Sequence, residues 1–517
     1  MDQHFHFRSL CISLFLGYLL GCTSVPEYES VSEQEPSYAL TAEDTQLVDK
    51  FFDEQPDPDL SGFYPLIDGL DAFAARIALI DAAHTSVDIQ YYLYHRQESG
   101  ALLAAYLLKA AERGVRVRIL LDDMSQAESE QDLAALALHE NIEVRLFNPL
   151  SHRNLRFLSF LTDYTRVSRR MHNKTFIVDS QVFITGGRNI GNAYFSGEDH
   201  AQFVDLDVLG IGPIVEKAAH AFDLYWNNPL AETIEGLYGE GDNKHYQQLS
   251  ENLKRYSSKD YGQDSPYVKR LKESDIVSQL RQGKLNLDWS PGYLYVDDPN
   301  KLITDSRDTT THMAPKMLVA MGTPRDTAVI VSPYFIPRKS GVALIKKWRE
   351  QGVDVTILTN SLSATDVPVV HAGYSNYRKE LLEMGVNLWE LKRNFDETEE
   401  PLKIKSFGGS STASLHAKTM AYDDDRIFIG SLNLDPRSFN LNTEQGVVME
   451  SHLFNKMLRD WVKNNMPDFA WRVTLDENGD LQWQDKSGTV LHEEPETTGW
   501  QRFTVWMMSL LPIEKAL

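Results

Sequence analysis

The stretch Met171-His172-Asn173-Lys174-Thr175-Phe176-Ile177-Val178-Asp179 returns later in the chain as Leu415-His416-Ala417-Lys418-Thr419-Met420-Ala421-Tyr422-Asp423. Both read His-x-Lys-x-x-x-x-Asp. At one fixed offset each is followed by two small residues and an Asn: Gly186-Gly187-Arg188-Asn189, then Gly430-Ser431-Leu432-Asn433. A doubled His/Lys/Asn set implies one pseudo-symmetric site, with two imidazoles facing each other across a charged substrate. The set suits phosphoryl transfer without a metal, one His attacking and the other supplying a proton. One such motif is a weak signal; two with matched offsets are not a coincidence.

The repeat extends outward from the motifs. SVDIQYY at 86–92 alternates β-branched and aromatic residues as a buried strand does. ALLAAYLLKAAERG follows with helical spacing and a C-cap at Gly114, then VRVRILLDD as a strand. The second half gives TAVIVSPYF, a helix ending at Gly352, and VDVTILTNS. Each half adds a further helix and strand before its His motif. This order predicts an α/β layer fold made twice. The expected division is a first lobe over 50–241, a polar connector over 242–305, and a second lobe over 306–517 with an amphipathic tail.

Residues two apart on a strand share a face, so His172 projects with Lys174 and His416 with Lys418. Gly186-Gly187 and Gly430-Ser431 let backbone approach a ligand closely. Asn189 and Asn433 bring amide donors to the same edge. Asp179-Ser180 and Asp423 to Asp425 are turn-rich breaks, and Asp122-Asp123 reads as a strand-end turn rather than a cation site. A nucleophilic imidazole must be neutral and an acid imidazole protonated, so one site must push two pKa values apart. Symmetry leaves open which His plays which part.

The chain begins with an apolar run from Leu10 to Leu20, too short for the roughly 18 residues of a membrane span, and reads as a signal peptide over 1–21. Its cysteines are Cys11 and Cys22. With Cys11 inside the signal, no disulfide is expected, nor cysteine catalysis. Residues 22–49 are acidic and poor in large apolar side chains, as a flexible tether would be. The remaining chain, 42% hydrophobic overall, suffices for two ordinary domains, and its net charge of −23 disfavours nucleic acid as a partner.

The stretches DIQYYLY, RMHNKTFIVD, GGRNIGNAYF, TILTNSLSATDVPVVHAGY, SLHAKT and IGSLNLDPRS resemble the phospholipase D superfamily in its two-motif, single-chain form. The resemblance runs from about Phe63 to the C-terminus and is nearest to bacterial cardiolipin synthases of the C type. It implies two αβαβα sandwich lobes with the active site between them, no metal or other cofactor, and a covalent phosphatidyl-histidine. By the same resemblance His172 is the nucleophile and His416 the general acid. Lys174, Lys418, Asn189 and Asn433 hold phosphate oxygens, and downstream carboxylates orient each imidazole: Asp205 and Glu444 by offset. Asp179 and Asp423, the carboxylates of the motif itself, enter the candidate catalytic set while reading more as turn residues. Leu19-Leu20-Gly21-Cys22 resembles a lipobox, making Cys22 a lipidation site. With Thr23 and Ser24 behind it and no Asp, the location implied is the outer membrane of a Gram-negative cell, facing the periplasm.

The expected function is therefore phosphatidyl transfer to phosphatidylglycerol, making cardiolipin at a phospholipid membrane. The donor lipid is left open, with phosphatidylethanolamine a candidate beside phosphatidylglycerol, as is the need for a small partner protein. Its rivals are a hydrolytic phospholipase D releasing phosphatidic acid, and a lipoprotein that binds lipid without catalysis. Two further segments fit a lipid surface or a packed face equally: Arg153, Arg156, Arg166, Arg169 and Arg170 interleaved with apolar residues, and the tail from Trp500 to Pro512.

Overall fold

The computed structural model describes residues 30, 35–40, 51 and 55–511, save 127, 154, 196–200, 259, 263 and 394–411. The signal, Cys22 and most of the tether lie outside the described residues. In each lobe three parallel strands form the centre: Ser86–Tyr91, Arg116–Asp122 and Ile142–Phe147 in the first, Thr327–Val331, Asp354–Asn360 and Asn387–Leu391 in the second. These strands are mostly buried, as parallel strands covered on both faces must be. The helices between them, Glu98–Glu112 and Arg338–Glu350, end just before Gly114 and Gly352, which take φ of +93° and +90°.

Antiparallel strands extend each centre on one side. Thr175–Val178, Val182–Gly186 and Asp207–Ile211 do so in the first lobe, and Thr419–Tyr422, Arg426–Gly430 and Gln445–Glu450 in the second. Each His motif thus feeds directly into the strand beside the parallel centre. The two sheets pack through one continuous apolar core, in which Phe183, Val208 and Trp226 of the first lobe meet Ile427, Val447 and Phe454 of the second.

The expected connector over 242–305 is corrected by the structure. Helices Asn243–Tyr256, Pro266–Glu273 and Asp275–Gln282 belong to the first lobe, burying Leu253, Tyr267, Ile276, Val277 and Leu280 in its core. Strand Asp288–Ser290 then closes the first sheet and Gly292–Val296 opens the second, so the crossing is made at Pro291. The segment reads as polar because each helix keeps a hydrophilic face to solvent.

The tether also ends earlier than expected. Residues 35–40 dock on the first lobe: Ala39 N–H donates to Asp223 at 2.8 Å, and Arg118 donates to the Ser37 carbonyl at 2.9 Å. Asn227 both donates to and accepts from Ser37. Backbone satisfied in this way is ordered whatever its composition. No helix among the described residues is long and apolar enough to cross a membrane.

Candidate active site

The two His motifs meet where the lobes are stitched together by main chain. The His172 N–H donates to the Thr443 carbonyl at 2.9 Å, and the His416 N–H to the Val204 carbonyl at 2.8 Å. The residues after these acceptors are Glu444 and Asp205. Each stitch therefore carries a carboxylate to the histidine of the other lobe. His172 Nδ1 lies 2.8 Å from Glu444 Oε2, and His416 Nδ1 lies 2.6 Å from Asp205 Oδ2. The offset reading found both carboxylates; the structure assigns each to the opposite imidazole. Gln445 adds to the seam, donating to the Lys174 carbonyl at 2.7 Å and to Thr185 at 2.8 Å.

The small pairs serve the carboxylates. A Cβ on Gly187 would fall 2.1 Å from Asp205 Oδ1, so only glycine leaves room for that side chain. Ser431 holds the matching place in the other half, and its hydroxyl donates to Glu444 Oε2. The expectation that these residues admit a ligand is replaced by one in which they seat a carboxylate.

Both lysines are buried, and each donates through Nζ to the carbonyl of its own histidine, Lys174 to His172 at 2.7 Å and Lys418 to His416. Burial lowers them, Lys174 to about 7 and Lys418 to about 8, although nearby Glu444 and Asp205 pull the other way. Asn189 Oδ1 accepts from the Leu93 N–H at 3.2 Å, while Asn433 Oδ1 is buried with no hydrogen-bond partner among the described residues.

The electrostatics break the pseudo-symmetry. Burial raises Glu444 to about 7, whereas Asp205 is held down at about 2, its desolvation outweighed by His416, Lys418 and Arg188. Both imidazoles are lowered by burial and by the lysines, His172 well below its ordinary range. For His416 the Asp205 carboxylate pulls in the opposite sense. Both imidazoles are thus biased toward the neutral form, His172 the more strongly, and only His416 faces a carboxylate held in its ionised form.

Asp179 and Asp423 do not join this group. Each lies at the far end of its strand from the histidine, with φ near +50°. Asp179 accepts from the amides of His84, Thr85 and Ser86, and Asp423 from those of Arg325, Asp326 and Thr327. They anchor the start of the neighbouring parallel strand. Asp122 and Asp123 are likewise occupied, by the amides of Met124, Met171 and Leu150.

Sequence reasoning passed over three groups. Tyr92 and Tyr194 stand edge-on to His172 and His416, each at 5.2 Å between ring centres. Tyr334 donates to Asp366 at 2.9 Å, and Asp366 bears on Lys418. Tyr92 and Tyr194 lie in DIQYYLY and GGRNIGNAYF, the stretches that carried the resemblance. The arginine cluster, by contrast, points inward. Arg153 and Arg156 pair with Asp123 and Glu130, Arg170 with Asp122, and Arg166 with Asp163; Arg169 donates to the Lys301, Leu302 and Thr304 carbonyls. It is the apolar residues between them, Leu155, Phe157 and Leu161, that are exposed.

The family described as "Cardiolipin synthase, PLD-like domain" matches residues 77–226 and again residues 317–466. Cardiolipin synthase C of Escherichia coli (strain K12) is 41% identical over 466 residues, which cover 88% of this chain and 96% of that protein. A cardiolipin synthase of Oceanobacillus iheyensis is 25% identical, covering 76% of this chain and 66% of its own. Among solved structures, phosphatidylserine synthase of Haemophilus influenzae Rd KW20 superposes with a TM-score of 0.54 at 12% identity, over 91% of this chain and 98% of that one. At that identity the likeness is one of fold.

Proposed function

The chain belongs to the phospholipase D-like cardiolipin synthase family, and we propose that it makes cardiolipin by moving a phosphatidyl group from one phosphatidylglycerol to another through His172. The observation that carries the assignment of roles is the unequal pair of carboxylates. Each Nδ1 is engaged by its carboxylate, so Nε2 is the reacting nitrogen. Neutral His172 attacks the donor phosphorus; the bond from phosphorus to the glycerol oxygen breaks, and His416, supported as an imidazolium by Asp205, gives that oxygen its proton. In the second half the neutral His416 takes the proton of the acceptor's terminal hydroxyl. That oxygen attacks phosphorus, and His172 leaves unchanged. Lys174, Lys418, Asn189 and Asn433 supply donors where charge grows on the phosphoryl oxygens.

At the membrane, lipidation of Cys22 supplies the anchor. Residues 35–40 dock on the first lobe, so the 12 residues of sequence between them and Cys22 can span no more than roughly 40 Å. Helix Gly499–Ser509 and the residues after it expose Trp500, Phe503, Trp506, Leu510 and Leu511, a composition suited to the headgroup boundary.

Purified protein given vesicles of labelled phosphatidylglycerol should yield cardiolipin and free glycerol, with phosphatidylethanolamine tested as a second donor. If the label ends only in phosphatidic acid at every acceptor concentration, transfer is refuted in favour of hydrolysis.

A further inference from the structure

The second lobe contains a cavity of about 340 Å³, within the size range of small-ligand sites. It is lined by Leu318 of helix Met313–Met321, by Leu344 and Trp348 of helix Arg338–Glu350, and by Phe335, Leu434 and Phe439 above the sheet. Arg338, Ser340, Asp435 and Asn440 add its polar groups, and Asp435 is engaged by the Ser438 N–H at 2.8 Å.

The internal repeat supplies a comparison within the same molecule. Val87 pairs with Val178 as Ala328 pairs with Tyr422, which fixes the equivalence of the lobes. On that register Leu318, Gly341 and Leu344 match Ile77, Gly100 and Leu103, while Phe439 matches Phe195 at the offset that separates the two histidines. In the first lobe this place is filled. Tyr267 is fully buried there, its ring 4.8 Å from Phe73, which lies 5.2 Å from Phe195; its hydroxyl donates to Asn192 at 3.1 Å. Helices Pro266–Glu273 and Asp275–Gln282 cover the rest. Among the described residues the second lobe has no counterpart of these helices, and Val319 and Leu344 remain 81% and 39% exposed.

We propose that the cavity receives one acyl chain of a phospholipid substrate, an inference that rests on the phosphatidyl-transfer reading and adds a site to it. The cavity and the catalytic centre share a wall. Phe335 and Leu434 form a bridge between segments, and the Ile336 N–H donates to the Leu434 carbonyl at 2.7 Å. The residues just before them are Tyr334, whose hydroxyl meets Asp366 beside Lys418, and Asn433 of the repeated motif. Phe335 and Leu434 line the cavity while their chain neighbours Tyr334 and Asn433 belong to the catalytic side, so this bridge of backbone is what separates a phosphate held between the histidines from the groove. Desolvating the chain there removes apolar area from water on both surfaces.

The test uses the full-length protein and phosphatidylglycerol carrying a photoreactive diazirine halfway along one acyl chain, with adducts mapped by peptide mass spectrometry. Adducts are expected within 318–348 and 434–440. Adducts confined to the first lobe or to helix Gly499–Ser509 overturn the proposal. In parallel, Leu344→Trp should raise KM for long-chain phosphatidylglycerol about tenfold, the equivalent of two buried methylenes lost, and leave KM for the dihexanoyl lipid unchanged. A chain-length profile that does not move overturns it, as does a change in the particle's mass in solution, which would assign the groove to a second copy. Crosslinking needs no turnover. Adducts in the groove without cardiolipin refute the reaction alone, and cardiolipin without such adducts refutes the groove alone.

Discussion

Glu444 of the second lobe holds the imidazole of His172 in the first at 2.8 Å, and Asp205 returns the arrangement to His416 at 2.6 Å. The two bonds look alike but differ in charge. Glu444, raised to about 7, shares its proton near neutrality, while Asp205 stays ionised. The partners differ in length by one methylene, and the residue beside each compensates, Gly187 by making room and Ser431 by donating a hydrogen bond.

That difference predicts unequal damage from isosteric changes. Asp205→Asn should lower kcat by about 10²–10⁴-fold with KM little altered, because it removes the negative charge that supports the acid form of His416. It should also move the alkaline limb of the kcat profile to lower pH. Glu444→Gln keeps a near-neutral group in place, and its loss should be smaller with the limb unmoved. Steady-state kinetics over a pH range decide this; equal losses with identical profiles would count against the assigned roles.

Gly187→Ala places a methyl against the Asp205 carboxylate and should disable acid catalysis without touching a substrate-binding group. Substrate affinity should survive, while kcat falls about as far as in Asp205→Asn. Ser431→Ala is the milder counterpart, costing Glu444 one hydrogen bond. Vesicle binding and turnover measured on the same preparations separate the two effects, and weakened binding with normal turnover would contradict the placement.

Lys174 links activity to stability. Its folded value of about 7 lies below the unfolded value of about 10.4, so between those values the unfolded chain holds a proton that the folded chain has released. Stability from this group therefore rises with pH across the window and is flat below it. Lys174→Met removes a buried charge, so it should stabilise the protein most at pH 6, and the gain should shrink by a few kcal/mol by about pH 10. Denaturant titrations of both proteins at several pH values provide the check; a gain independent of pH would mean that the lysine is not deprotonated on burial. Turnover should meanwhile fall as pH rises through about 7 to 8, where Lys174 and Lys418 lose charge.

Asp179→Ala should separate stability from chemistry. It strips the acceptor from the buried amide of Ser86 and the half-buried amides of His84 and Thr85, a cost of about 1–3 kcal/mol for each donor left without water or protein. The melting temperature should fall by several degrees, with kcat per folded molecule preserved. A variant that melts normally but turns over poorly would return Asp179 to the catalytic set.

Much of this was legible in the sequence because it is periodic. The strands and helices of both lobes, and the His, Lys and Asn positions, follow from spacing and from the exact recurrence of an offset. Glu444 and Asp205 were legible as residues but not as partners, since an offset along the chain does not say which lobe a side chain faces. The helices over 243–282 escaped because their buried residues, such as Leu253 and Tyr267, are few among polar ones. The inward turn of Arg153, Arg156 and Arg170 escaped for a related reason. Composition reports charge but not the carboxylates, Asp122, Asp123 and Glu130, that neutralise it in space. The docking of 35–40 depends on Asp223 and Asn227, some 190 residues away, and no local pattern could reveal it.

The crossing of the carboxylates also sets a timetable for biosynthesis. When the first lobe emerges from the ribosome, its sheet can close, yet His172 must wait for a residue 272 positions later, and Asp205 for an imidazole 211 positions later. Neither half-made chain can hold a correctly oriented histidine. On the proposed chemistry the site is complete only once strand Gln445–Glu450 of the second lobe has been laid in place beside the first.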